Sequence, residues 1–514
     1  VVVGLKKPAV VGGIRERVRE AWPLLALTAV AVFLRIYNLE VIGWAPDTYD
    51  RLMDARAIVR GELPDSPIYP PGAALIVAPF FAVLPKTLGT MQGVIVASGV
   101  LLVPVTYRWV LNLTDNRRAA LLGAAASALL PPLVVHSRGG QYDVPSLLLT
   151  MMVLTYAANL RKASLLSLIA YGVSLGILMN VRSNNLVLLP ALAIIYAGAA
   201  GVTSPRDLAR LMLDRAVLVV GGISGTLFVA GVLLGSWSET SVSVPVTFDG
   251  FGENLVRYFY VSLYYAPGIL FMAPFALLGV RRVWREKPYN VLAIGYLLAL
   301  WPLLYAPFDF TSDRYMLQSQ LLLFCLAAIG VSGVLAGAGA GDARPSWLSR
   351  YALLSGAAIV LVLVGGSALL LKNWSQSVAE SDEGLAAEFK PAVSELREGS
   401  LLVSSVSLVF QDGAPQLDHL DLVSTAMRGG GTENTVDDLL GAIDAHFGEG
   451  HRVYYLYSHW EQGSDFTLKG KLGYAKYWDA VTATYETLPL LQGTQVRVTG
   501  HTWTLYEVKA RPSR

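Results

Sequence analysis

Charged side chains are scarce in this sequence: 15% of its 514 residues are Asp, Glu, Lys or Arg, against about 25% in a typical soluble domain. With 54% of the chain hydrophobic, that shortage excludes an ordinary water-soluble globule and predicts a polytopic membrane protein. The net charge is only +2 and no basic tract or nucleic-acid motif is present, which excludes nucleic acid as a partner class. A single cysteine, Cys325, excludes an internal disulfide and any cysteine-based metal site. His419, His446, His451, His459 and His501 are scattered without a two-histidine ligand spacing, so no structural zinc is expected. The first apolar run lacks a small-residue cleavage site after it and is expected to be a retained span.

What the chain does have is long apolar runs. About 20 residues cross a bilayer core of about 30 Å, and runs of that order fall at 22–39, 89–110, 118–135, 143–160, 163–180, 185–201, 216–236, 262–280, 289–306, 314–336 and 351–371, eleven predicted spans. The run 73–84 is too short to cross and contains Pro79, so it is expected to be an interfacial or re-entrant piece. Lys6, Lys7, Arg15, Arg17 and Arg19 precede the first span. Alternate loops carry Arg117 and Arg118, Arg161 and Lys162, Arg206 with Arg210 and Arg215, Arg281 with Arg282, Arg285 and Lys287, then Arg344 and Arg350. Basic loops face the cytoplasm, which predicts a multi-pass plasma-membrane protein with its N-terminus inside. Residues 1–371 then form a membrane domain, and 372–514 a C-terminal extracytoplasmic α/β domain. In that tail, helical patterns at 383–398 and 435–447 alternate with strand-like runs at 400–410, 451–457 and 495–508.

The first long polar interruption, Trp44 to Pro71, opens with Asp47, Asp50 and Asp54. Their spacing of three and four residues puts all three on one helical face. Pro46 suits a first helical position and Gly61 a left-handed stop, so a short helix lying along the membrane surface is predicted. Other polar groups expected on the same side are His136, Ser137, Arg138, Gln141, Tyr142 and Asp143 before the fourth span, Asn180, Arg182, Asn184 and Asn185 after the fifth, and Asp313, Arg314 and Tyr315 before the tenth. Ionisable groups near membrane depth are costly and usually line a site or a cavity.

Arginines and carboxylates gathered on one side suit transfer of a sugar from a lipid phosphate. The phosphate leaves as a stable anion, so its charge needs planar bidentate donors, and the acceptor hydroxyl needs one carboxylate base. Arg182, Arg314 and Arg138 are the candidate phosphate donors, although an arginine at a span end can also simply snorkel to the interface. Asp143, Asp50, Tyr69 and His136 are candidates for acceptor or metal contacts; Asp143 can equally form a plain ion pair with Arg138, and Asp50 and Asp54 a solvated helix face. A carboxylate pair such as Asp47 and Asp143 can bind a divalent cation, but oxygen ligands alone do not select one.

The order of PDTYDR in the first loop, a YPP segment and a short apolar helix closing it, HSRGGQYD before a span, NVRSNN after one and DRY at the head of a late span resembles the GT-C fold glycosyltransferases. The resemblance covers about residues 20–335. It implies an inverting enzyme that moves a sugar from a polyprenyl-phosphate donor to a glycan, lipid or protein acceptor, with the first-loop acidic residue, Asp47 here, as catalytic base. Protein O-mannosyltransferases and lipid A aminoarabinose transferases typically carry Asp-Glu at this place, whereas Asp47 is followed by Thr48. YPPGAALIVAPF is closer to polyprenyl-phosphate mannose-dependent mannosyltransferases. The Trp-Trp-Asp signature of oligosaccharyltransferases is absent from the tail. The competing class is a transporter or flippase for a lipid-linked glycan, in which charges tend to sit near the bilayer midplane within repeated halves.

Overall fold

The computed structural model describes residues 14–37, 39, 46–62, 71–139, 142–234, 251–265, 268–306, 313–339, 365, 384–404, 410, 414, 416–422, 434–458, 475–493 and 503–511. Its first part is helical: α1 (Ile14–Ile36), α2 (Pro46–Arg60), α3 (Gly72–Phe81), α4 (Leu88–Thr114), α5 (Arg117–Leu129), α6 (Pro131–His136), α7 (Asp143–Tyr156) and α8 (Leu165–Val181). These are followed by α9 (Leu188–Ala199), α10 (Pro205–Met212), α11 (Arg215–Leu234), α12 (Phe251–Tyr265), α13 (Gly268–Glu286), α14 (Pro288–Tyr305) and α15 (Leu317–Gly339). Short 3₁₀ turns at Ala157–Lys162, Ser183–Val187 and Asp313–Met316 extend α7, α9 and α15.

By length and composition, five helical stretches among the described residues can cross a membrane: Leu88–Thr114, Asp143–Lys162, Arg215–Leu233, Pro288–Tyr305 and Arg314–Ala336. Shorter apolar helices lie before and between them. Leu101, Leu166, Leu218, Leu233 and Leu292 are exposed on these helices, where a soluble protein would place charge, and hydrocarbon is the solvent that suits such a surface. The chain is a membrane protein. The eleventh expected span, 351–371, lies outside the described residues apart from Gly365.

Sequence patterns account for most helix ends. Pro46 opens α2 and Gly61 closes it at φ +78°, the left-handed conformation that glycine adopts without a Cβ penalty. The Asn116 side chain caps α5 by accepting from the backbone N–H groups of Arg118 and Ala119 at 2.9 and 3.1 Å. Two expectations are corrected. The run 118–135 is not one helix: Pro131 and Pro132 cannot continue the α5 hydrogen-bond ladder, so the chain breaks at Leu130 and restarts as α6. Nor does α2 merely lie along a surface. Arg51, Leu52, Asp54, Ala55 and Ala57 are buried, and Leu52 and Ala55 pack with Ala73, Val77 and Phe81 of α3 and with Met91 and Ile95 of α4.

Glycines set the closest helix contacts. A Cβ on Gly279 of α13 would lie 1.9 Å from the Leu326 carbonyl oxygen of α15, and one on Gly330 would lie 2.0 Å from the Phe275 carbonyl oxygen. Between α8 and α11, Asn180 Nδ2 donates to Leu227 O at 2.9 Å and to Gly176 O at 2.9 Å, fixing the end of α8.

The C-terminal part holds a five-stranded sheet ordered β2-β1-β3-β5-β4, from β1 (Leu401–Ser404), β2 (Asp418–Asp421), β3 (Val453–Ser458), β4 (Glu486–Gln492) and β5 (Trp503–Lys509). β1 runs parallel to β2 and β3, while β3–β5 and β4–β5 are antiparallel. Leu401 and Val403 face Leu439 and Ile443 of α17 (Asn434–Gly448) and Tyr477 and Val481 of α18 (Ala475–Thr484). Leu402 and Leu456 face Phe389 and Val393 of α16 (Gly384–Ser394) on the other side. Helices on both faces explain why β1 and β3 are apolar without alternation.

Because the α13–α15 contact is backbone to backbone, Gly279→Ala or Gly330→Ala forces the two helices apart. Each is expected to destabilise the detergent-solubilised protein by about 1–3 kcal/mol, read as a lower unfolding temperature, whereas Gly295→Ala, with open space around it, should leave that temperature unchanged.

Candidate functional site

Four helix ends meet at one place. Asp143 is the first residue of α7, and Arg182 follows the last residue of α8 in an extended conformation (φ −153°, ψ 134°). That backbone turns the arginine back across the helix pair, where its Nη2 lies 2.6 Å from Asp143 Oδ1. Asp143 is 1% exposed and Arg182 19% as side chains, so the pair sits at the edge of the packed core and opens outward through the guanidinium. Burial works against the Arg182 charge, but the Asp143 carboxylate beside it, with the nearby Tyr305 and Tyr315, raises its pKa above the ordinary guanidinium value. Among the described residues neither Asp143 oxygen has a hydrogen bond of standard geometry. Charge holds the pair, and the carboxylate keeps acceptor capacity.

Tyr315, in the turn that leads into α15, joins a second arginine to this pair. Its ring centroid is 5.1 Å from Cζ of Arg182 and 5.2 Å from Cζ of Arg314, and Arg314 Nη2 donates to the Tyr315 hydroxyl at 3.3 Å. Tyr305, at the end of α14, stacks on the same ring at 4.4 Å and 2°. Tyr258 of α12 fixes this end of α14, its hydroxyl donating to Tyr305 O at 3.4 Å, and Asn254 Nδ2 donates to Ala306 O at 3.0 Å. Two cations held close to one aromatic ring is an arrangement that an anion stabilises.

The first loop abuts the same place. Arg51 of α2 is 4% exposed in the packed interior, Asp54 is 3% exposed, and Arg51 Cζ lies 4.7 Å above the ring of Tyr142, the residue before Asp143. Burial pushes the Tyr142 phenol well above its ordinary pKa, with Arg51 lowering it and Asp54 raising it, so the ring that Arg51 meets is a neutral phenol. A Cβ on Gly72 at the start of α3 would lie 2.3 Å from the Asn180 carbonyl carbon and 2.5 Å from the Val181 nitrogen. The loop thus closes directly on the backbone that presents Arg182.

The structure therefore brings together Asp143, Arg182 and Arg314 of the sequence-predicted residues. Asp47 and Asp50 lie in the first turns of α2, with their side chains outside the described atoms, and Tyr69 lies outside the described residues. Arg138 does not supply the pairing considered for Asp143: its Nη1 donates to Leu34 O at the end of α1 at 3.1 Å, and Arg182 takes the carboxylate. His136 ends α6 and is buried. Asp54 is not part of a solvated face. Sequence reading missed Tyr305, whose place at a span end looks like an ordinary interfacial aromatic. It also missed Arg35, a fully buried arginine inside the first apolar run that donates to Ser127 O at 3.0 Å and Ala128 O at 3.2 Å in the last turn of α5. There it satisfies carbonyls that a helix C-terminus leaves open. For a divalent cation, no group of three or more His, Cys, Asp or Glu side chains converges among the described residues, and Asp143 is already matched by Arg182.

No protein-family model and no curated protein matches the chain. Solved structures match over nearly its whole length. ArnT from Cupriavidus metallidurans bound to undecaprenyl phosphate superposes with a TM-score of 0.62 at 13% identity, covering 94% of this chain and 98% of that one. The Archaeoglobus fulgidus oligosaccharyltransferase in the apo form gives 0.54 at 11% identity, covering 94% and 74%. AglB from the same organism, in complex with an inhibitory peptide and a dolichol-phosphate, gives 0.53 at 12% identity, covering 96% and 74%. At these identities the likeness is one of fold, and the fold is the GT-C type.

Arg182→Gln leaves the Asp143 charge buried without its partner. A loss of about 3–5 kcal/mol is expected, seen as a lower unfolding temperature, and adding Asp143→Asn to Arg182→Gln should restore part of it. If the single and double variants unfold together, the pair is not what holds α7 to the end of α8.

Proposed function

We propose that this protein is an inverting glycosyltransferase that moves a sugar from a polyprenyl-phosphate donor to a hydroxyl acceptor on the extracytoplasmic face of the membrane. The observation that carries this reading is the convergence of Arg182 and Arg314 on the ring of Tyr315, beside the buried carboxylate of Asp143. Two planar guanidiniums, one already fixed by a carboxylate, suit a phosphate whose charge grows as it leaves. Solved structures of the same fold hold undecaprenyl phosphate and dolichol-phosphate, which agrees with a lipid phosphate as leaving group.

In this reading the acceptor oxygen attacks the anomeric carbon from the face opposite the phosphate, its proton passes to the Asp47 carboxylate, and the bond from that carbon to the phosphate oxygen breaks. The products are the glycosylated acceptor, with inverted configuration, and polyprenyl phosphate. Asp47 occupies the first turn of α2, where the positive helix end favours the ionised form that a base needs. Asp143, with free acceptor capacity, orients the acceptor hydroxyl or the sugar. The N-terminus is cytoplasmic, residues 1–371 form the membrane domain, and the sheet-containing part within 372–514 stands on the extracytoplasmic side and selects the glycan, lipid or protein acceptor. Against a transporter, the charges of the site lie at the ends of α7, α8 and α15 and not midway along a span.

The test is transfer of labelled sugar from polyprenyl-phosphate donors to a panel of glycan, lipid and peptide acceptors by the purified protein in liposomes. Asp47→Asn, folded as judged by thermal unfolding, is expected to lose at least about 10²-fold in rate, the lower range for a general base. Arg314→Lys, which keeps the charge and loses the planar fork, should weaken transfer less. An Asp47→Asn protein with undiminished turnover excludes this mechanism, and vectorial lipid movement without any glycosylated product replaces it with the transporter reading.

A further inference from the structure

At the opposite end of the two helices that carry Asp143 and Arg182, a groove of about 500 Å³ runs between α7, the 3₁₀ turn that follows it, and α8. One wall is Met152, Val153 and Tyr156 of α7, and the other is Ala170, Tyr171 and Ser174 of α8. Gly172 and Gly176, on the opposite face of α8, press against Ile223 and Leu227 of α11, which leaves the groove face free of that helix. Leu166, Ile169 and Val173 on the same turns of α8 are exposed, so the groove opens to hydrocarbon. Its two ends differ. Asn159 and Lys162 stand exposed at the mouth formed by the turn. Deeper in, the Tyr171 hydroxyl donates to Val153 O at 3.0 Å and the Ser174 hydroxyl to Ala170 O at 2.8 Å, and the polar groups of the walls are thereby satisfied within the protein. From Lys162 to Met152 the lining runs about 15 Å by helical rise, half of a hydrocarbon core of about 30 Å and so the depth of one leaflet.

From this shape and polarity we infer that the groove binds one anionic phospholipid, with an acyl chain lying between α7 and α8 and the phosphate at Lys162. A lipid of one leaflet has its charge at the interface and its chain toward the bilayer middle, the same order as the lining. Arg161 is engaged by Asp214 at 3.4 Å, whereas no ion pair holds Lys162 among the described residues. The mouth therefore carries one positive charge that an incoming anion can neutralise. An ammonium is a compact charge with three donors and meets a phosphate without a fixed orientation, and the Asn159 amide adds two N–H donors beside it. Ser164 caps α8 by accepting from the Ser167 N–H at 3.2 Å, which holds the α8 side of the mouth in a defined place. With the orientation proposed above, this end lies at the cytoplasmic leaflet, which carries the anionic lipids. The polyprenyl-phosphate donor does not suit the groove, because its phosphate must reach Arg182 and Arg314 at the other end of these helices. A phospholipid bound here joins the two helices whose far ends hold Asp143 to Arg182, and it stabilises the folded chain by mass action.

The test uses the full chain, stripped of native lipid and held in mixed micelles in which phosphatidylglycerol replaces phosphatidylcholine at constant total lipid. A saturable rise in unfolding temperature is expected, with one phosphatidylglycerol per chain retained in native mass spectrometry. Lys162→Gln should raise the midpoint about fivefold, the worth of one lysine near an anionic surface. Ala170→Phe, which fills the groove from an exposed position, should abolish the rise. Arg285→Gln removes the same charge from an exposed residue outside the groove and should leave the midpoint unchanged. If Ala170→Phe does not fold, Ser174→Leu on the same wall takes its place, with a raised midpoint expected. Three outcomes overturn the inference: curves that coincide in wild type, Lys162→Gln and the groove-filling variant; an equal rise with phosphatidylcholine alone; or a rise with polyprenyl phosphate that has a lower midpoint than phosphatidylglycerol and is lost in the groove-filling variant. The readout involves no sugar transfer, so it stands or falls apart from the transferase reading.

Discussion

A charge at the edge of a hydrocarbon-facing helix bundle persists only if something close by compensates it, and the Asp143–Arg182 ion pair at 2.6 Å is where this constraint acts most strongly. Removing either charge from water is costly, and their attraction offsets that only in close, enclosed geometry. The geometry comes from three sides. Asn180 ties the end of α8 to α11, Gly72 lets α3 press against the same backbone, and Tyr142, the residue before Asp143, packs its ring under Arg51 of α2. The result is an arginine whose position is set by packing and whose outward face stays open.

Around that pair the aromatic residues act as insulation with a polarity of their own. Tyr315 lies against both Arg182 and Arg314, and the Tyr305 ring stacked on it shields the assembly from the helix interior. Cation–π contacts are stronger where water is excluded, so the ring adds to what holds the two guanidiniums in place. Helix termini supply the groups because the middle of each span must satisfy its own backbone and face lipid or neighbouring helices.

Much of this was legible in the sequence. Asp143, Arg182 and Arg314 stand out as charges at the margins of apolar runs, and the cost of charge near a bilayer makes such residues informative before any coordinates are known. Pro46 and Gly61 bracket α2 as their backbone preferences require. The strands β1, β3 and β5 announce themselves by apolar and aromatic runs. Two strands do not. β2 is four residues of DHLD, and β4 is an edge strand with Pro489 beside a register shift; their pairing is imposed by the neighbouring strand, not by composition. The Pro131–Pro132 break was visible too, but the length of the surrounding apolar run hides it.

By itself the sequence determined that the chain lives in a membrane, which of its charged residues lie at the ends of spans, and the order of elements that belongs to the GT-C fold, because all three follow from local composition and spacing. Only the tertiary structure decided the partners: that Asp143 pairs with Arg182 while Arg138 reaches the carbonyl of Leu34, that Asp54 is buried, and that Arg35 serves the carbonyls closing α5. Partner choice depends on which helix ends touch, and helix packing is fixed by steric fit between segments far apart in the chain, which no local pattern records.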